Sequence, residues 1–191
     1  MDVDPESSIA IQIVLIIVLT LINAYFAASE MAIVSVNKSK IHRLSEEGNK
    51  KAKLVEKLLD QPTNFLSTIQ VAITLAGFFN SASAATGISK SFANVLKNWS
   101  VPYADTIAVV LITILISFIT LIFGELVPKR IALQKAESYS MFCAKPILVI
   151  SKIASPFIKI LSWSTKFILR IFGMADENVE ESLSREEIRS M

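Results

Sequence analysis

Long stretches with almost no charge alternate along this chain with short stretches that carry nearly all of it. From Ile9 to about Val36 the only formal charge is Glu30. About 20 apolar residues rising ~1.5 Å each cross a hydrocarbon core of ~30 Å, so this run predicts a spanning helix over 9–36 with turns to spare. A second run, 64–88, is entered through Pro62, which suits a first helical turn because its missing N–H would be unpaired there anyway. A third, 102–124, contains between Ile107 and Ile122 little but Val, Leu, Ile, Ala, Phe and a few hydroxyl residues.

Between the first two runs, residues 38–60 carry Lys38, Lys40, Arg43, Lys50, Lys51, Lys53 and Lys57, and Gly48 divides them into two amphipathic pieces. That pattern predicts a helix-turn-helix on the cytoplasmic side, since basic loops stay inside. The 89–101 stretch holds only Lys90 and Lys97, whereas Lys129, Arg130 and Lys135 follow the third run. The predicted topology is therefore multi-pass in the cell membrane, with the N-terminus outside and the C-terminus cytoplasmic. Apolar residues return between Pro146 and Phe172, but Lys145, Lys152, Lys159, Lys166 and Arg170 recur among them about every seven residues. Cations on one face with Ile, Leu, Phe and Trp163 on the other describe a helix lying in the interface, so 126–172 reads as a juxtamembrane belt. A fourth span is the competing reading; it would place Lys152 and Lys159 at costly depth unless they snorkel. The 176–191 segment turns acidic, and Ser184-Arg185-Glu186-Glu187 reads as a helix-opening capping box, as though a cytosolic helical segment were cut short. The fold class is thus an all-α membrane protein with three transmembrane helices, a cytoplasmic helix-turn-helix and a belt helix, occupying 1–175.

Composition agrees with a lipid-solvated chain: 52% of residues are hydrophobic and 19% charged, with a mean hydropathy of +0.53. A net charge of +2, spread over membrane-flanking loops, gives no reason to expect nucleic acid as a partner. One cysteine, Cys143, and one histidine, His42, leave no disulfide, zinc ribbon or polyhistidine site. The acidic start and the length of the first apolar run argue for a retained span and against a cleaved signal peptide.

Polar side chains inside a bilayer are unfavourable, so those present point to a site. Ser67, Gln70, Thr74, Gly77 and Ser81 share one helical face, with Asn80 beside it. Thr106, Thr113, Ser117, Thr120 and Gly124 form a second stripe, and Thr20, Asn23, Ala27 and Glu30 a third, with Ser29 adjacent. Three such stripes can converge on one cavity. They can equally serve helix packing, since Gly77, Ser81 and Ala85 at spacings of four make a small-residue interface. Glu30 has the further option of pairing with a basic residue of the hairpin.

Glu125 is the sharpest position. It follows Gly124, and Pro128 removes the donor that the Gly124 carbonyl would meet in a regular helix. A carboxylate beside a liberated carbonyl is hard-cation chemistry, and magnesium takes oxygen ligands near ~2.1 Å while shedding water reluctantly. The competing reading is an ion pair with Lys129 at i+4.

Three stretches carry a resemblance: 23–32 (NAYFAASEMA), 67–75 (STIQVAITL) and 123–130 (FGELVPKR). Together they resemble the DUF21 transmembrane domain of the CorC/CNNM family over about Ile9 to Phe172. The resemblance implies a homodimer of three-span protomers, followed in the full-length chain by a cytosolic CBS-domain pair. It implies magnesium efflux exchanged against sodium, with the Mg2+ largely dehydrated in an inward-open cavity. The ligands it implies are Glu125, Ser29, Ser67, Gly77 and Asn80. One departure is Ala27, where many members have serine directly after the motif phenylalanine. The expected function is therefore a magnesium transporter and not an enzyme; a membrane-anchored magnesium sensor or scaffold without transport is the alternative.

Overall fold

The structure, a computed structural model, describes residues 5–172, and all of its regular elements are helical. The acidic 176–191 segment and its capping box lie outside the described residues. The chain divides into two units at Lys152, within the last of the described helices.

The first unit opens with α1 (Pro5–Ser35), which faces outward with Ile11, Val14, Leu15, Ile17, Val18 and Leu21. Such a surface would be costly in water and is the natural exterior of a helix in hydrocarbon. Helices α2 (Lys38–Glu46) and α3 (Lys50–Leu59) form the expected hairpin, each opened by an asparagine. Asn37 accepts from Lys40 N at 3.0 Å, and Asn49 from Lys51 N at 2.9 Å and Ala52 N at 3.3 Å. These caps satisfy donors that the first helical turn leaves orphaned. Gly48, at φ +89°, makes the left-handed step that ends α2, where a side chain would be strained.

α4 (Pro62–Thr86) begins at its proline as the sequence predicts. It is followed after Gly87 by α5 (Ile88–Asn98), a helix that the apolar runs did not single out. α5 is amphipathic: Phe92, Ala93 and Leu96 bury against Ala104, Ile107 and Ala108 of α6 (Ala104–Leu121). Lys97 ties the corner by pairing with Asp105 at 2.7 Å, and Ser100 and Tyr103 both take left-handed backbone.

After α6 the chain makes one π-helical turn, Ile122–Leu126, closed by Val127 N–H on the Ile122 carbonyl, and continues as α7 (Val127–Gln134). α8 (Ala136–Ile171) starts after a break at Lys135 and continues through both Pro146 and Pro156. The belt expected over 126–172 is thus two helices.

The main core of this unit lies at the hairpin end. Phe26 and Ile33 of α1, Ile41, Val55, Phe65 and Ile69 pack with Cys143 and Ile147. Full burial of each large aliphatic or aromatic side chain stabilises by roughly 1.5–3 kcal/mol relative to water. Outside that core, α1 packs along α4 and α7, and α4 along α6.

The described part of the second unit, 153–172, is the C-terminal half of α8. It exposes Ile153, Phe157, Ile160 and Trp163, with Trp163 stacked on Phe167 at 6.0 Å between ring centres.

Four stretches, Ile9–Ser35, Pro62–Asn98, Ala104–Gln134 and Ala136–Ile171, are long and apolar enough to cross a membrane. The 136–171 stretch is thus as able to span, by length and hydropathy, as the three runs that the sequence predicts to do so.

Candidate functional site

Where α1, α4 and the end of α6 meet, polar side chains face one another across a partly open cavity of about 340 Å³. Its walls include Asn23 from α1, Thr74, Gly77, Asn80 and Ser81 from α4, Ser117 and Thr120 from α6, and Glu125 from the π turn. Members of all three stripes therefore converge, as their helical spacing allowed. Gln70, Thr106 and Thr113 are not among the lining residues, and Gln70 and Thr106 are exposed.

The walls are joined by two asparagines. Asn80 Nδ2 donates to Thr20 Oγ1 at 3.1 Å and to Thr120 Oγ1 at 2.8 Å, so one amide links three helices. Asn23 Nδ2 donates to the Gly124 carbonyl at 3.1 Å. That carbonyl is the one Pro128 leaves without a regular helical donor, and the π turn holds it toward α1. The liberated carbonyl inferred from the sequence is thus present, and a neighbouring helix already uses it. Because a carbonyl only accepts, Asn23 must present its nitrogen there, which fixes where its oxygen goes.

Both amide oxygens, Asn23 Oδ1 and Asn80 Oδ1, are buried and unpaired; the two residues are 5% and 2% exposed. An unsatisfied buried acceptor costs about 1–3 kcal/mol. The two residues, on α1 and α4, both line the cavity that Glu125 lines, and their unpaired acceptors create a demand for a donor or a cation. The volume exceeds what a bare ion fills, since each water occupies about 30 Å³, and so leaves room for a magnesium-sized cation with part of its hydration shell.

Glu125 is not isolated. Lys129 Nζ lies 3.0 Å from Glu125 Oε1 and 3.1 Å from Glu30 Oε2. The i+4 pair weighed for Glu125 is formed, and the cation of Glu30 is Lys129, not a residue of the hairpin.

Of the five ligand positions implied by resemblance, the lining includes Glu125, Gly77 and Asn80. Ser29 is fully buried on α1 and turns its hydroxyl back to the Tyr25 carbonyl at 2.7 Å. Ser67 is half-buried on α4; neither serine is among the residues that line the cavity. In their place stand Asn23 and Thr120 on the lining, with Thr20 bonded to Asn80; the stripes contained all three but the ligand set did not. The useful signal was their amide or hydroxyl on the same helical face as Glu30 or Gly124.

The chain's similarities to known proteins bear on this arrangement. Residues 14–191 match the Cyclin M transmembrane N-terminal domain. A UPF0053 protein of Synechocystis sp. is 36% identical over 97% of this chain and 42% of its own length. The UPF0053 protein YhdP of Bacillus subtilis is 34% identical over 94% of this chain and 41% of its own. The Polyamine export protein of Haemophilus influenzae is 27% identical over 87% of this chain and 41% of its own. The chain thus spans about two-fifths of the length of these curated relatives. With the domain match covering nearly the whole chain, including the G-E-x-x-P segment at 124–128, this protein belongs to the CorC/CNNM family through its transmembrane domain.

Proposed function

We propose that this chain is the cation-translocating membrane domain of a magnesium transporter, with the cavity between α1, α4 and α6 as its binding site. The observation that carries the reading is the pair of buried, unpaired amide oxygens, Asn23 Oδ1 and Asn80 Oδ1, in two residues that line the cavity together with Glu125. Neutral oxygens replace part of an ion's water and the carboxylate supplies charge, which is the donor set hard divalent cations favour. Magnesium as cargo and sodium as the exchanged ion both come from the family resemblance; the all-oxygen chemistry of the cavity is compatible with the first.

In this reading α1, α4 and α6 span the bilayer with the N-terminus outside. The basic α2–α3 hairpin and the amphipathic α8 lie on the cytoplasmic side, two copies pair, and a cytosolic CBS pair follows in the longer protein. Ser29 and Ser67 would join the ligand shell only after a rearrangement that turns their hydroxyls toward the cavity.

A second reading has one observation in its favour: an ammonium, Lys129 Nζ, already sits between Glu30 and Glu125. A carboxylate pair that holds one alkylammonium suits the end of a polyamine, and one relative is named as a polyamine exporter.

Proteoliposomes with an internal magnesium dye, under opposed sodium gradients, test the first reading. Sodium-dependent magnesium flux that Glu125→Gln abolishes is the expected result. Labelled spermidine flux without magnesium flux would favour the second reading, and no flux of either would leave a sensor or scaffold.

A further inference from the structure

Lys129 stands four residues beyond Glu125, on α7, with its ammonium in hydrogen-bond reach of two carboxylates at once. The Lys129, Glu30 and Glu125 side chains are 24%, 26% and 34% exposed, respectively. Any cation that comes to Glu125 therefore meets one already in place. An incoming ion and the ammonium cannot both hold the Glu125 carboxylate without repulsion. The ammonium has somewhere to go, because Glu30 on α1 already holds its other side.

We infer that Lys129 is a tethered cation that occupies Glu125 while cargo is absent and withdraws onto Glu30 when cargo binds. This inference rests on the cation reading of the cavity. Glu30 is then a positioning residue: it sets the affinity of the site through Lys129 without touching the ion. The arrangement also keeps Glu125 compensated in the empty state. An unpaired carboxylate near hydrocarbon is unfavourable, and a carrier that must return empty needs that charge covered. With Lys129 present, the two carboxylates and the ammonium carry one net negative charge; a divalent ion converts that to one positive charge and drives the ammonium away from Glu125.

The test is a magnesium titration of the protein in lipid nanodiscs, read by melting temperature, on the wild type and on Glu125→Gln, Lys129→Met, Glu30→Gln and the Glu30→Gln/Lys129→Met double variant. Removing one adjacent positive charge should tighten apparent magnesium affinity about tenfold in Lys129→Met. Glu30→Gln, which leaves Lys129 no alternative partner, should weaken it by about the same factor. The double variant should bind like Lys129→Met, because Glu30 matters only through the lysine. A double variant as weak as Glu30→Gln overturns the inference, since Glu30 would then act on the ion directly or on the fold. So does a Lys129→Met protein with unchanged or weaker affinity while Glu125→Gln has lost the response. If Lys129→Met shows no melting transition, the Glu30→Gln arm decides alone, and unchanged affinity there overturns the inference. A magnesium response that Glu125→Gln leaves intact instead rejects the cavity as the site, a separate failure.

Discussion

The side-chain amide of Asn23 holds the carbonyl of Gly124 at 3.1 Å, across 101 residues of sequence. This bond fastens α1 to the only π turn among the described residues, at the residue next to Glu125. Asn23→Ala would leave the carbonyl buried without this donor and remove one of the cavity's two unpaired amide oxygens. We expect a loss of about 1–2 kcal/mol in unfolding free energy together with a weaker magnesium-dependent rise in melting temperature. Equilibrium unfolding in mixed detergent micelles measures the first, and a thermal titration the second.

A methyl group at Gly124 would lie 3.2 Å from Asn23 Nδ2, 3.3 Å from Thr120 Cγ2 and 3.4 Å from Thr20 Cγ2. Those neighbours belong to two different helices, so they must shift a few tenths of an ångström for Ala to fit. Gly124→Ala should cost about 1 kcal/mol, and Gly124→Val about 2–3 kcal/mol through overpacking. Equal melting temperatures for wild type and Gly124→Val would contradict the close approach.

Asn80 joins three helices through one nitrogen. Replacing it by Leu keeps the bulk, deletes both bonds and strands two threonine hydroxyls, for a loss of about 1–2 kcal/mol. Thr20→Val combined with Asn80→Leu should cost less than the sum of the separate changes, because the two residues share a bond. Strict additivity in that double-mutant cycle would rule the bond out.

On the hairpin, the Glu56 carboxylate receives His42 Nδ1 at 2.6 Å and the Ser45 hydroxyl at 2.5 Å. The hydrogen bond to Glu56, then the nearby Glu46 charge, raise the His42 pKa, and the bonds from His42 and Ser45 lower that of Glu56. A raised histidine contributes stability that is complete below its unfolded pKa of about 6.5 and fades as pH rises through the folded value. A lowered glutamate contributes stability that is complete above about 4.3 and fades as pH falls through its folded value. Protection of α2 and α3 amides should therefore be greatest between roughly pH 4.5 and 6.5. Hydrogen exchange at pH 6 and pH 8.5 checks the upper limb, and His42→Gln should abolish the difference.

Much of the helical layout was readable from residue order because it rests on local rules. Gly48 divides α2 from α3, Pro62 starts α4, and polar stripes at spacings of three and four placed Thr20, Asn23, Thr74 and Thr120 on faces that meet. Glu125 stood out because Gly124 and Pro128 flank it. What depends on helix register could not be read in this way. Whether Asn23 reaches Gly124, or Lys129 reaches Glu30, is set by how far α1 slides along α7, and no short window encodes that. Ser29 shows the same limit from the other side: a buried hydroxyl can bond its own i−4 carbonyl instead of facing a cavity, and here it does. Helix α5 carries no such signal, because its apolar residues are few and spaced on one face, without a continuous run.

The single wide turn at 122–126 acts as a phase shifter. One residue added to an otherwise regular helix rotates everything downstream by about 100°. The ammonium of Lys129 thus reaches the first helix at an azimuth that a straight continuation of α6 would not provide. Excising one residue from that turn would restore helical regularity and point the lysine elsewhere, so greater order in the backbone would mean the loss of the Glu30 partnership.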